Sequence, residues 1–300
     1  MYTIEGCMSE RELEALVRAG DAAFEARLEE LAGEILSDGA IRLLGLTGPT
    51  CSGKTTAAAM LTRALEAEGR AVHIISIDDF YFGKDVLLRA SREKGRSEPD
   101  YDSPDTIDAE LMRAAVRSLL SGRETRMPRF NFRTGQRENG ELLRPQAGDL
   151  FLFEGIQILY PQVDALLRQE GYYSFCVCPQ SAIAAGGEIF LPNEIRLMRR
   201  LVRDVIYRAA APSFTFFLWN SVRENEEKNI FPYIGTCNRT VDSTMPYEIG
   251  LLKPYLERYL TGDGVGDFRQ EADGILARLA NVQPVPDGLI QPDSLYKEFI

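Results

Sequence analysis

The sequence predicts an α/β fold organised around a phosphate-binding loop, and three observations carry that prediction. The stretch Gly48-Pro49-Thr50-Cys51-Ser52-Gly53-Lys54-Thr55 fits the template G-x-x-x-x-G-K-[ST] at every fixed position. Residues 40–47 before it read as a short buried strand, and residues 56–65 after it read as a helix rich in Ala and Leu. Two further apolar runs, 70–77 and 148–156, bring the acidic residues Asp78 and Glu154 to their ends. In a doubly wound sheet, ligands sit beyond the carboxyl ends of the strands. Both carboxylates are therefore expected on the edge that carries the glycine loop.

Each part of the loop has a chemical reason. Glycines let backbone N–H groups converge on an anion, and the helix N-terminus adds partial positive charge. Lys54 is expected to reach the β- and γ-phosphates of a nucleotide, and Thr55 to offer its hydroxyl to Mg²⁺. A plain turn between strand and helix would explain Gly48 and Gly53 but not Lys54-Thr55 in addition. An apolar strand ending in Glu154 is the pattern that sets a carboxylate near Mg²⁺. A buried carboxylate with no partner would be costly.

The rest of the chain bounds the answer. It has 300 residues, 45% apolar, with a formal net charge of -11. That length suits one large or two small domains, and the acidity disfavours a nucleic-acid partner. A local cradle can still bind phosphate on an acidic protein. The five cysteines, Cys7, Cys51, Cys176, Cys178 and Cys237, form no C-x-x-C pair, and with the lone His73 they offer no zinc set. Reduced thiols are the simplest reading. Cys51 lies inside the loop, where a helix N-terminus could stabilise a thiolate or the residue could simply be small. No apolar run approaches the roughly 20 residues of a membrane helix, and residues 1–8 lack a signal-peptide pattern. A cytoplasmic location with no membrane partner is expected.

Ser9-Glu10-Arg11-Glu12 opens one or two helices ending near residues 37–39. Residues 109–120 and 268–279 read as further helices. Residues 127–137 alternate basic and aromatic side chains around turn signals, as in an edge hairpin or a substrate wall. Residues 195–204 carry Arg196, Arg199, Arg200 and Arg203 at i, i+3, i+4 and i+7, hence on one helix face. Spacing leaves two readings open: a solvated charge stripe, or cations that meet a transferring phosphoryl group.

In order, Gly48…Thr55, Ser76-Ile77-Asp78-Asp79-Phe80-Tyr81, Tyr101-Asp102-Ser103-Pro104, Pro128-Arg129-Phe130-Asn131-Phe132, Glu154-Gly155-Ile156 and Arg199…Asp204 resemble the uridine kinase/phosphoribulokinase family. The resemblance covers roughly residues 40 to 210. Beyond it, Trp219…Arg223, Tyr247-Glu248 and residues 294–300 are similar to a bacterial uridine-kinase-like branch. The resemblance implies a P-loop kinase fold: a parallel five-stranded sheet flanked by helices, with a lid. Expected units are an N-terminal helical extension at 1–39, the kinase domain at 40–262, and a C-terminal helix and tail at 263–300. The implied cofactors are ATP and Mg²⁺, the implied partner is a small-molecule acceptor, and homo-oligomers are compatible with it.

The resemblance also implies roles. Gly48, Pro49, Thr50, Cys51, Ser52, Gly53, Lys54, Thr55 and Thr56, with Arg208, would hold the nucleotide. Asp78 matches the base that accepts the proton of the acceptor hydroxyl. Asp102 matches a ribose-hydroxyl ligand, and Tyr81 and Phe130 match acceptor-pocket aromatics. Glu154 matches the Mg²⁺-associated acid. Arg200, Arg203 and Arg208 match lid arginines that meet phosphates. Two departures stand out. Gly135 occupies the position of a base-reading histidine. The lid segment R-G-R becomes Arg208-Ala209-Ala210, with Arg223 as the candidate replacement cation. The resulting expectation is ATP-Mg²⁺-dependent phosphorylation of a nucleoside 5′-hydroxyl. A kinase for another sugar-like or polyol metabolite and a non-catalytic nucleotide-binding regulator are the alternatives. A GTPase switch is disfavoured because no N-K-x-D stretch exists; Asn238…Asp242 does not match.

Overall fold

The computed structural model describes residues 1–4, 6–93, 95 and 104–300. Strand β1 (Tyr2–Ile4) precedes α1 (Glu10–Ser37), a single 28-residue helix rather than two. Its start is set by a capping box: the Ser9 hydroxyl accepts from the Glu12 N–H, and the Glu12 carboxylate accepts from the Ser9 N–H at 2.7 Å. Next come β2 (Leu43–Thr47), α2 (Lys54–Ala67), β3 (Val72–Ser76), α3 (Lys84–Glu93) and α4 (Ala109–Leu120). A hairpin follows, β4 (Thr125–Asn131) and β5 (Gln136–Leu143), then β6 (Leu150–Glu154), α5 (Pro161–Gln169) and β7 (Tyr172–Cys178). The second half holds β8 (Ile183–Ala185), β9 (Glu188–Phe190), α6 (Pro192–Arg208), α7 (Pro212–Asn229), β10 (Arg239–Asp242), α8 (Glu248–Leu260) and α9 (Arg269–Leu279).

Five strands form the parallel sheet, in the order β3-β6-β2-β7-β10. This is the α/β architecture expected, with helices on both faces. The register does the work of assembling a site. Glu154 at the end of β6 lies opposite Leu46 of β2 and Ser76 of β3. The residues that follow these three strands, Gly48, Asp78 and Gly155, therefore leave the sheet at one edge.

Alternation along the strands feeds two cores. Leu44, Leu46, Leu150, Leu152, Phe175 and Val177 face α1, α2, α6, α8 and α9. Leu43, Ile75, Phe151 and Phe153 face α4, α5 and the β4–β5 hairpin. Helix α1 shares the first core through Val17, Phe24, Leu28, Leu31 and Ile35. A second, three-stranded sheet, β1-β8-β9, was not foreseen. Its strands β8 and β9 lie in the tract between residues 180 and 193. Strands of three residues carry too little alternation to read from sequence. Residues 262–266 read from sequence as a flexible break, yet Asp263–Phe268 form a short helical turn with Val265 fully buried.

Helix α6 lies between the glycine loop and α8, and it buries charge to do so. Arg199 is fully buried and pairs with Glu248, whose side chain is also inaccessible, at 2.8 Å. The same guanidinium donates to the carbonyls of Cys51 and Ser243 and lies over the rings of Tyr296 and Phe299. The Tyr296 hydroxyl closes the cluster on Glu248. Removing one member of such a pair leaves an uncompensated buried charge, at about 3–5 kcal/mol. Glu248→Gln should therefore lower unfolding free energy by roughly that amount in urea titration; a loss under about 1 kcal/mol would contradict a central role for the pair.

The end of α6 carries backbone strain. Ala209 closes the helix at φ 50°, ψ 30°, a left-handed conformation that crowds a Cβ. This is the residue where the family segment R-G-R has glycine. Ala209→Gly should raise stability by up to about 1 kcal/mol, once glycine's larger unfolded-state entropy is subtracted. Thermal unfolding of the two proteins checks the sign.

Candidate active site

A cavity of about 500 Å³ opens at the carboxyl edge of the sheet. Thr50, Cys51, Lys54, Thr55, Asp78, Tyr81, Glu154, Arg200, Arg203 and Arg208 all line it, with Gln157, Glu226 and Glu298 among the rest. Of the other expected loop residues, Gly48, Pro49, Ser52, Gly53 and Thr56 stand behind this lining. Phe130 is buried beside Tyr81 rather than in the lining. Asp102 lies outside the described residues.

The loop geometry needs its glycines. Gly48 has φ 154° and Gly53 has φ 90°. A Cβ at Gly48 would fall 2.1 Å from the Val177 carbonyl oxygen, and one at Gly53 would fall 2.5 Å from Leu295. Lys54 Nζ donates to the carbonyls of Gly48 and Pro49, at 2.9 and 3.1 Å, and so lies across the loop. Cys51 holds a left-handed φ of 56°. Its sulfur is buried, and burial pushes its thiol up, against the pull of Arg203 and Arg200. The loop thus stabilises a neutral thiol, not the thiolate considered from sequence.

The acidic residues divide by direction. Asp78 and Asp79 sit in a helical turn, Ile77–Phe80, directly after β3. Asp78 lines the cavity. Asp79 points away and accepts the Phe130 N–H at 2.8 Å, which anchors the β4–β5 hairpin. Tyr81, Phe130 and Phe132 then stack edge to face, with centroids 5.0–6.2 Å apart. Glu154 is held higher than an ordinary glutamate, chiefly by burial and also by Asp78, while Lys54 and a hydrogen bond from Ser76 pull it back. A cation at this carboxylate would relieve that cost.

Helix α6 splits its arginine stripe. Arg196 and Arg199 are buried ion-pair residues, whereas Arg200 and Arg203 reach the cavity. Asp204 gathers the cavity arginines. It accepts from Arg203 at 2.7 Å and from Arg200 at 3.2 Å, and Arg208 lies 3.6 Å away. Burial alone would raise the Asp204 carboxyl, but Arg203, Arg200 and Arg208 outweigh it and hold it low. Arg208 is itself lowered by burial and by its neighbour Arg203, the mark of crowded positive charge.

Arg223 does not act as a further cavity cation. It pairs with Glu226 at 2.9 Å and with Glu227 at 2.7 Å, and lies over the Phe231 ring. Glu226 also takes two bonds from Arg196 and accepts the Thr50 N–H at 3.1 Å. The α6–α7 pair is thereby tied to the loop.

Sequence reasoning missed four residues. Asp204 was visible in the arginine motif but had no assigned role. Glu226 and Glu298 reach the site from distant parts of the chain, and Gln157, three residues beyond Glu154, belongs to no motif that marks it. Glu298, from the C-terminal segment, accepts from the Thr56 hydroxyl at 3.2 Å and the Thr56 N–H at 3.4 Å. The histidine position is closed as well as substituted. Gly135 has φ 68°, and a Cβ there would lie 2.8 Å from Lys84. His73, the only histidine, sits mid-strand against Asp149 at 2.8 Å.

The residues present fit a Mg²⁺-nucleotide. A glycine cradle whose space a Cβ would fill suits a polyphosphate. Glu154 and the Thr55 hydroxyl offer hard oxygens, and Mg²⁺ typically takes one or two protein oxygens and completes its shell with phosphates and water. Among the described residues, no group of three or more His, Cys, Asp or Glu side chains forms a metal site by itself. No helix of the described residues is long and apolar enough to cross a membrane.

Known proteins match this picture over the same stretch. Uridine-cytidine kinase 2-B of Danio rerio is 32% identical over 172 residues, covering 55% of this chain and 59% of its own. The uridine kinase of Schizosaccharomyces pombe is 30% identical over 173 residues, covering 56% of this chain and 33% of its own. The uridine kinase of Pectobacterium atrosepticum is 28% identical over 192 residues, covering 63% and 78%. The match thus spans about three fifths of the fish protein and a third of the yeast one. The family model described as phosphoribulokinase / uridine kinase matches residues 43–236. That interval contains the glycine loop, both strand-end carboxylates and the arginines of α6, and the chain belongs to the phosphoribulokinase/uridine kinase family.

Proposed function

We propose that this protein transfers the terminal phosphoryl group of ATP to a hydroxyl of a small molecule, with a nucleoside 5′-hydroxyl as the leading acceptor. One observation carries the reading: Lys54, Arg200, Arg203, Asp78 and Glu154 line a single cavity beside a glycine loop. The retained pair Asp78 and Glu154 speaks against a non-catalytic nucleotide-binding regulator. The similarity to uridine and cytidine kinases supports a nucleoside acceptor.

In this reading the loop N–H groups and Lys54 bind the phosphates. Thr55 and Glu154 would hold Mg²⁺, which would supply positive charge against the phosphates. Asp78 accepts the proton of the attacking hydroxyl. Arg200 and Arg203 bear on the equatorial oxygens as charge spreads there. Asp204 pairs with both guanidiniums and holds them at the cavity. Tyr81, Phe130 and Phe132 form the acceptor-side wall, fixed by Asp79. Most of the rate enhancement then comes from positioning and charge.

A second reading has its own support. With Gly135 packed on Lys84, no side chain from that position reads a pyrimidine edge. A smaller sugar-like or polyol acceptor would need no such reader. A coupled ADP-release screen across nucleosides, sugars and polyols decides between them.

Lys54→Ala should abolish turnover and weaken ATP binding, because the loop holds no other lysine or arginine. Calorimetry and steady-state assays check this, and wild-type behaviour would refute the phosphate-loop role. Asp78→Asn should nearly eliminate phosphoryl transfer in single-turnover kinetics while ATP still binds, since the amide is a poor proton acceptor. A near-normal single-turnover rate would remove Asp78 as base. Arg203→Ala should lower kcat more than it raises KM, by on the order of 10³-fold if the contact belongs to the transition state.

A further inference from the structure

Among the described residues that line the cavity, Gln157 presents a neutral amide that is almost fully enclosed, at 1% exposure. It sits in the helical turn Ile156–Leu159, three residues beyond Glu154. Its Nε2 donates to Asp78 Oδ1 at 2.7 Å and to the Tyr81 hydroxyl at 2.6 Å. The Tyr81 hydroxyl in turn bonds to Asp78. Asp78 therefore accepts from two neutral donors that also hold each other.

Two details make the arrangement specific. The amide has one working orientation, because a flip would set Oε1 against the Asp78 oxygen, acceptor against acceptor. In the observed orientation Oε1 is buried and has no hydrogen-bond partner among the described residues. Folding does not require an unpaired buried acceptor, and such exceptions call for an explanation. Gly155 is shaped to the same amide. A Cβ there would come within 2.5 Å of Oε1.

We propose that Gln157 and the Tyr81 hydroxyl are positioning residues that hold the Asp78 carboxylate in the rotamer facing the acceptor hydroxyl. This rests on the reading of Asp78 as the base. Gln157 takes one lone pair of Oδ1, and the carboxylate keeps others for the proton it receives. Both donors are neutral, so they orient Asp78 without supplying a charge that would quench its basicity. The end of β6 thus serves two tasks: Glu154 stands toward the metal side, and Gln157 turns back to the base. Tyr81 is accordingly more than an acceptor-pocket wall. Its ring packs on Phe130 while its hydroxyl steadies the base.

Gln157→Met keeps the length and removes the donor; Tyr81→Phe keeps the ring and removes the hydroxyl. Each should lower kcat by on the order of 10²-fold with ATP affinity unchanged, as expected for a misplaced reacting group. The loss should fall on kcat while KM for ATP stays unchanged, a split that a general loss of structure would not give. The Asp78 carboxyl can be followed without turnover, by its ¹³C chemical shift at fixed pH in protein labelled with ¹³C at aspartate, which reports the loss of a hydrogen bond. The charges facing it, Asp79, Glu154, Lys54, Arg200 and Arg203, are unchanged in both variants. A changed Asp78 carboxyl chemical shift with the loss of kcat supports the proposal. An unshifted Asp78 in either soluble, folded variant, or unchanged kcat in both, overturns it. A shifted Asp78 in a protein that phosphorylates no acceptor would overturn the kinase reading and the catalytic purpose of the linkage, while the linkage itself would stand. If Gln157→Met fails to fold, Tyr81→Phe alone carries both outcomes.

Discussion

Helix α6 buries two arginines and thereby aims two others. A buried guanidinium must be paired, or the fold loses several kcal/mol. Arg199 meets this demand with Glu248 of α8, and Arg196 meets it with Glu226 of α7. These pairs fix both the rotation of α6 and its height above the sheet. Arg200 and Arg203, one step around the same helix, then have a single direction left, into the cavity. The same buried arginines also bind the carbonyls of Thr50 and Cys51. Loop oxygens that would repel a phosphate are thus engaged from the outside.

The chain is acidic as a whole, and the arginine-lined part of its cavity is a local exception built by enclosure. Three arginines gather around Asp204, whose single negative charge offsets only part of theirs. The surplus stands opposite Asp78 and Glu154 across one cavity. Such an arrangement favours an occupant that carries both negative phosphates and a cation. The depressed Arg208 and the elevated Glu154 report the two halves of that demand.

The aromatic side of the cavity is built by a different device. Asp79 ties the β4–β5 hairpin to the end of β3, so Phe130 is held beside the turn that carries Asp78. Gln157 reaches Asp78 from the end of β6. Strand ends that are neighbours in the sheet, but distant in sequence, therefore share one carboxylate. At the far end of the hairpin, Gly135 packs on Lys84, which narrows the means by which a base edge could be read.

The sequence alone determined the parts whose physics is local. A glycine loop between a strand and a helix fixes its own backbone, so Gly48 to Thr55 could be read directly. Apolar strands ending in Asp78 and Glu154 announced the sheet edge, and the ordered motifs identified the family. Only the tertiary structure decided what depends on pairing at a distance. Four arginines at i, i+3, i+4 and i+7 look alike in a sequence; burial against Glu226 and Glu248 separates two of them from the rest. Asp78 and Asp79 are chemically identical neighbours, and the Phe130 N–H assigns one to the hairpin. Gln157, Glu226 and Glu298 gain their roles from contacts spanning 79, 176 and 242 residues. Local propensity carries no record of such contacts, because their free energy exists only once the sheet has brought the distant segments to one edge.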